Sequence, residues 1–351
     1  MAMTKKSEFK VFTNDQLSND EYHSKDGWAS EYVSGSSLSD IYSTCPAAWR
    51  FSQKSPTAAL EFGTQSHTNF ECAELFQKTY RRAPHEGDYK DLITSQAALA
   101  AKLKSFGLTG TSGKAYPELI KMYANCGEDL EILWLEDMIA QSKAAHDGVE
   151  LVKAENYDSC IRMRQVLEAI PKHAQCMNSP TAQREMSIFG TIAGTKVKVR
   201  LDHVDVVPDY IIWEFDEALN EMVPKVYPEV VVITDYKTTS SANPEEFNSH
   251  AARLGYYLKM ALQRDLFVKA FAEERPVVVR LLAQEKKEPY IPLAFILGDE
   301  QLRMGRVQYM EVLSKFNGWV SSDSWPAYNG NEPEIFMETP IWFKKKFEGL
   351  I

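Results

Sequence analysis

No run of 18 apolar residues occurs anywhere in this 351-residue chain, so no segment predicts a membrane-spanning helix. The opening stretch through Gln16 is polar and has no apolar core of the kind a secretory signal needs. Cysteine is scarce: Cys45, Cys72, Cys126, Cys160 and Cys176 form an odd, widely spaced set without a C-x-x-C pair. That excludes a disulfide framework and a zinc site, and it points to a reducing cytoplasm. Positive charge is also short, 39 Lys and Arg against 49 Asp and Glu for a net −10. A protein that coats nucleic acid non-specifically is therefore disfavoured, although an enzyme with a locally basic channel is not. No internal repeat or low-complexity tract is present. With 44% hydrophobic residues the chain has ample material for a full core.

What the chain does have is concentrated between Val230 and Lys259. The β-branched run Val230 to Thr234 predicts a buried strand, and it ends in Asp235-Tyr236-Lys237. Strand alternation puts Asp235 and Lys237 on one side and Tyr236 on the other. A carboxylate and an ammonium at the end of an apolar strand are costly to desolvate, which marks a working position. Thr238 to Asn243 reads as a polar turn. Pro244-Glu245-Glu246 opens a helix over 244–272, with His250, Arg253 and Tyr257 along one side.

Before that stretch, residues 1–30 read as a loosely held polar arm. Ser34 to Tyr42 predicts a short helix ending near Pro46, and residues 58–78 predict another with Gly63, His67 and Glu71 on one face. A glycine inside a helix costs roughly 1 kcal/mol relative to alanine, so Gly63 marks close approach of another segment. His67 has two readings, a satisfied helix histidine or a metal ligand. Helices over 91–106, 115–125 and 128–146 carry no evident chemistry, and helix 155–177 is interrupted by Pro171. Arg184–Gly190, Lys196–Val207 and Tyr210–Phe215 predict successive strands, with Gly194 in the first turn. Lys196, Lys198, Arg200 and Asp202 share one face, either a solvated face or a basic strip leading to an acid. Residues 216–228, acidic and containing Pro224 and Pro228, read as a loop. Strands over 276–283 and 290–297, a helix over 299–317 and a Trp- and Pro-rich tail from Trp319 complete a single α/β domain.

Several of these pieces, taken in order, match a known pattern. They are Ser37-Leu38-Ser39 with Cys45-Pro46-Ala47; Gly63-Thr64-Gln65-Ser66-His67; Glu185; Gly194 followed by Lys198-Val199-Arg200-Leu201-Asp202; Asp235-Tyr236-Lys237-Thr238-Thr239; Tyr256-Tyr257; and Trp325-Pro326-Ala327-Tyr328. From about Ser34 to Trp342 the chain resembles the RecE (exonuclease VIII) nuclease family, within the PD-(D/E)xK superfamily that includes lambda exonuclease.

The resemblance implies a restriction-endonuclease-like α/β core, with a mixed central sheet flanked by helices and an N-terminal helical part. The nuclease domain would span 31–318 (helical 36–178, sheet 184–297), after a flexible arm 1–30 and before a tail 319–351 packed on the core. It implies Asp202 and Asp235 as carboxylate metal ligands, His67 as a further ligand, the Tyr236 backbone carbonyl as another, Lys237 as the catalytic lysine and Glu185 as an additional site residue. Lys196, Lys198, Arg200, Arg253 and Tyr257 would contact DNA. Hard oxygen ligands of this kind suit Mg²⁺ or Mn²⁺. Arg253 stands where the relatives carry Gln, and Asp209 and Asp216 rival Asp202 as the first acid. Cys45 lies near the first motif but no cysteine follows Cys176, so no iron–sulfur cluster is expected. The implied activity is 5′→3′ exonucleolytic resection of double-stranded DNA ends for a RecT-like annealing protein, by a homo-oligomeric ring. An inactive DNA-binding scaffold and a structure-specific endonuclease are the alternatives.

Overall fold

One mixed sheet of seven strands organises the protein, and its strand order decides where charged groups can meet. The computed structural model describes residues 8–53, 55, 57–89, 92–125, 133–145 and 148–348. From one edge the sheet runs Lys10–Phe12, Gln183–Ile192, Thr195–Asp216, Glu221–Thr239, Val277–Glu285 and Pro292–Leu297, with Val33–Ser34 added beside the third of these. Neighbours are antiparallel except at two places: Val277–Glu285 runs parallel to Glu221–Thr239, and Val33–Ser34 runs parallel to Val197–Lys198. The Ala193-Gly194 turn that joins the second and third strands has positive φ at both residues, 49° and 77°, so the hairpin closes tightly between Ile192 and Thr195.

The β-branched run fills the centre as its composition predicts. Val231 and Ile233 join the main core, packed with Leu258, Leu262 and Leu266 of helix Tyr256–Phe271. A second core on the other side joins Phe62 and Phe70 of helix Ala58–Glu71, Cys160 and Met163 of helix Ala154–Glu168, and Tyr236. Each such side chain contributes about 1.5–3 kcal/mol by leaving water. The strand ending in Asp235-Tyr236-Lys237 is thus held between two helical layers. No helix among the described residues is long and apolar enough to cross a membrane.

Several local expectations are corrected. Residues 8–30 are not a free arm, because Lys10–Phe12 pairs with Ser187–Phe189 and the backbone of Tyr22 and Ala29 is bound by Lys198. The predicted strands 196–207 and 210–215 are one continuous strand, which passes Asp209 with φ of 48°. The predicted loop 216–228 is largely strand, since residues 221–227 pair with 210–216 despite Pro224. Helix 244–272 is two helices, Pro244–Arg253 and Tyr256–Phe271, separated at Gly255 with φ of 67°. Helix 299–317 continues to Ser322. The tail is not packed on the core along its length. Trp325 lies against Trp49 and Phe316, but every described residue from Ala327 to Glu348 is exposed. Residues 128–132 and 146 of the predicted helix 128–146, Asp91, and the ends of the arm and tail fall outside the described residues.

Candidate active site

The site begins where two strands part. The antiparallel ladder between Thr195–Asp216 and Glu221–Thr239 ends at the pair His203–Thr234. The next residue along each strand at that end is an aspartate, Asp202 on one and Asp235 on the other. The backbone N–H of Tyr236, deprived of a ladder partner there, donates to Asp202 Oδ2 at 3.0 Å. Asp202 is thus fixed by the main chain of the motif that carries Asp235 and Lys237.

Two further groups close on this fork. Helix Ala58–Glu71 presents His67, whose Nε2 lies 2.9 Å from Glu185 Oε1 and 2.7 Å from Glu71 Oε1, while Nδ1 is 3.8 Å from Asp202 Oδ2. Glu185 sits between the pairs Arg184–His203 and Met186–Leu201, opposite Asp202, with φ of 52°. A left-handed backbone at a residue with a side chain is uncommon and costs about 1 kcal/mol or more. Here it turns the Glu185 carboxylate toward His67. Arg200 holds the other oxygen of Glu185 through Nε and is itself braced by Ser187 Oγ at 3.0 Å and the Leu17 carbonyl at 3.2 Å. On the opposite side, fully buried Asp235 takes both Lys237 and Lys259, the latter at 2.7 Å.

Charge is therefore paired in two groups. Burial would lower the pKa of His67, but Asp202, Glu185 and Glu71 lift it well above the ordinary imidazole value. Glu71 is pushed up to about 8 by burial. Burial together with the charge of Asp235 raises Asp202. Asp235 itself would be raised by burial, yet the two ammonium groups hold it below the usual carboxylate range. The result is a surplus of carboxylates around His67 and a surplus of ammonium around Asp235, side by side in one cleft. One ligand atom from each of His67, Glu185 and Asp202 lies within 4.8 Å of the others, a spacing that fits a cation.

In sequence, the chain matches no protein-family profile and no curated protein. Among solved structures, a candidate exonuclease from Eubacterium rectale superposes with a TM-score of 0.50, covering 95% of this chain and 99% of that one at 13% identity. The two share a fold. Two other solved structures are too distant to inform it. One covers 64% of this chain and 77% of its own at 10% identity and a TM-score of 0.19. The other, from Vibrio cholerae, covers 87% and 66% at 10% identity and a TM-score of 0.17.

Within this fold, His67, Glu185, Asp202, Tyr236, Lys237 and Arg200 line one cleft. Asp235, expected as a metal ligand, lies beneath it with its carboxylate taken by Lys237 and Lys259, so it stands outside the group formed by His67, Glu185 and Asp202. The rival acids are elsewhere: Asp209 is an exposed strand residue, and Asp216 caps the hairpin tip through the N–H groups of Ala218 and Leu219. The basic strip does not form as expected. The Lys198 ammonium is buried, donating to the carbonyls of Tyr22 and Ala29 at 2.7 and 2.8 Å, and Lys196 pairs with Glu31. Arg253 is exposed in a separate depression with His250 and Glu246. Tyr257 packs against the main core, and its backbone carbonyl lies 2.0 Å from the place a Cβ on Gly305 would occupy. The aromatic beside the cleft is instead Tyr256, with Lys237 Nζ 5.7 Å from its ring centre. Gly63 accommodates a side chain, Thr238 Oγ1, 3.6 Å from its would-be Cβ.

Sequence reasoning passed over Glu71 as a site acid and Lys259 altogether. Glu71 lies four residues beyond His67, one helical turn, so its approach was readable. Lys259 carried no such signal, because the break at Gly255 rotates the second helix away from a continuous 3.6-residue reading.

Proposed function

We propose that this chain is a divalent-metal-dependent exodeoxyribonuclease that hydrolyses phosphodiester bonds at the ends of double-stranded DNA. The observation that carries the reading is the fork at which Asp202 and Asp235 diverge, with His67 and Glu185 on one side and two lysines on the other. His67, Glu185 and Asp202, with the Tyr236 carbonyl, would hold the ion, and a donor set dominated by carboxylate and carbonyl oxygen suits Mg²⁺ or Mn²⁺. Such an ion supplies Lewis acidity toward water and phosphate.

The chain's own groups do the rest. Lys237 offers an ammonium at the strand end, half-buried and 3.4 Å from the Tyr236 carbonyl, placed to neutralise charge that develops on the scissile phosphate or to orient water. Asp235 fixes both lysines by ion pairing. Arg200 orients Glu185, and Tyr256 forms an apolar wall beside the Lys237 ammonium. Resemblance to the RecE family extends the proposal to 5′→3′ polarity, a RecT-like annealing partner, a homo-oligomeric ring and a cytoplasmic setting.

Linear duplex labelled at either 5′ or 3′ ends, and a covalently closed circle of the same sequence, incubated with Mg²⁺, test it. Nucleotides should appear from 5′ ends and none from circles, and Asp235→Ala and Lys237→Met should each lower the rate at least about a hundredfold. Equal attack on circles would make the protein an endonuclease. DNA binding with neither Mn²⁺ binding nor cleavage of any substrate would leave an inactive DNA-binding scaffold.

A further inference from the structure

Asp235 has one counter-ion more than neutrality requires. A buried carboxylate is balanced by a single ammonium, and Lys237, two residues along the same strand, already supplies it. Lys259 adds a second, 2.7 Å from Asp235 Oδ1. Two ammonium groups on one carboxylate repel each other, and both are partly drawn out of water, so the arrangement is costly unless a further anion shares them. The other acids of the fork are engaged elsewhere: Glu185 and Glu71 with His67, and Asp202 with the Tyr236 N–H.

Lys259 is placed to meet an anion that enters the cleft. After the break at Gly255, Tyr256, Lys259 and Gln263 stand at i, i+3 and i+7 on one face of helix Tyr256–Phe271. Lys259 and Gln263 line the cleft together with His67, Glu185 and Lys237, and Gln263 Nε2 anchors this face to the Arg200 carbonyl at 3.2 Å. The Lys259 side chain keeps 22% of its surface in solvent although its partner Asp235 has none.

Metal-dependent phosphodiester hydrolysis commonly uses two ions, one serving the attacking oxygen and one the leaving oxygen. Among the described residues, one group of ligand atoms is suited to a cation, that of His67, Glu185 and Asp202. The remaining buried carboxylate, Asp235, is occupied by lysines.

We propose that Lys259 takes the place of a second ion, so that the site works with one divalent cation and the Lys259 ammonium stands beside the leaving oxygen. The inference rests on the nuclease reading. In the step concerned a water oxygen bonds to phosphorus and sheds a proton to solvent. The bond from phosphorus to the sugar oxygen breaks. That oxygen departs with the electron pair, its charge neutralised by Lys259, and takes up a proton from solvent.

The number of Mn²⁺ ions bound per chain, counted by electron paramagnetic resonance without DNA, and the Mn²⁺ dependence of linear-duplex cleavage test it on wild type, Lys259→Met and Lys259→Arg. Wild type should bind one ion and cleave with a Hill coefficient of about 1. Lys259→Met frees Asp235 Oδ1 and should bind a second ion. It should cleave about a hundredfold more slowly at low Mn²⁺ and recover at high Mn²⁺ with a Hill coefficient of about 2. Lys259→Arg, which keeps the charge, should bind one ion and cleave faster than Lys259→Met at low Mn²⁺. A wild type that binds two ions, or a folded Lys259→Met that binds only one or cuts at the wild-type rate, would overturn the proposal and leave the nuclease reading standing. A wild type that binds one ion and cleaves nothing would remove the nuclease reading and this role of Lys259 with it.

Discussion

Lys259→Met is the substitution that most directly reads the electrostatics of the fork. It removes one of the two cations on a fully buried carboxylate while preserving most of the aliphatic stem. A hydrogen bond between charged groups contributes about 1.5–3 kcal/mol net. Lys259 keeps 22% of its side chain in solvent and Lys237 still pairs with Asp235, so a loss near the lower end, about 2 kcal/mol, is expected. With an unfolding entropy of about 2.1 cal/mol/K per residue, that lowers the melting temperature by roughly 3 °C in EDTA. The fork would also be one charge more negative and should bind a divalent ion more tightly. A ligand selective for the native state adds about 2.7 kcal/mol at a hundredfold excess over its Kd. The deficit should therefore shrink or reverse in excess Mn²⁺. Calorimetry in EDTA and in Mn²⁺ on both proteins decides it. Equal stability in EDTA, or a deficit that Mn²⁺ leaves unchanged while it stabilises wild type, would refute the reasoning.

Three further outcomes are expected. Arg253→Ala, remote from the cleft, should change the cleavage rate by no more than about twofold in the linear-duplex assay, as for ordinary surface positions; a hundredfold loss would put Arg253 on the substrate path. Gly305→Ala would drive a methyl into the Tyr257 carbonyl and should cost about 3 kcal/mol or more, seen as a lowered urea midpoint; an unchanged midpoint would mean the two helices separate freely. Asp265 is bound by Arg306 at 2.6 and 2.7 Å and by Tyr309, and although burial alone would raise its pKa these partners hold it below the usual range. A depressed carboxylate stabilises the fold above its unfolded pKa of roughly 4 and loses that contribution as pH falls below it. Asp265→Asn should thus be less stable than wild type at neutral pH, with the gap closing in acid; a gap that persists at low pH would show that packing and not charge is responsible.

The site was legible where residues follow local rules. Strand alternation placed Asp235 apart from Tyr236, helical spacing aimed His67, and the Gly194 turn set the Asp202 strand beside Glu185. What failed were inferences that needed a partner from afar. Lys198 looked like a substrate cation because nothing local tells that the Tyr22 and Ala29 carbonyls will capture it. Pro224 and Pro228 argued for a loop at 216–228, yet a ribbon without neighbours tolerates proline, since the missing N–H faces no further strand. Arg253 and Tyr257 were placed by a helical period that Gly255 interrupts, whereas a glycine with left-handed φ ends one helix and starts another in a new direction.

The backbone of Glu185 carries one last implication. A residue that prefers to sit elsewhere on the conformational map persists only where neighbours compel it, and here those neighbours are His67 and Arg200. Glycine at this position would relieve a strain of about 1 kcal/mol but leave Arg200, with only 8% of its side chain exposed, and His67 without their carboxylate, a loss of about 3 kcal/mol or more. The bent backbone is therefore tolerated because the acid it delivers neutralises two neighbouring cations at once, so the same side chain that furnishes the cleft also holds the strand in its unusual course.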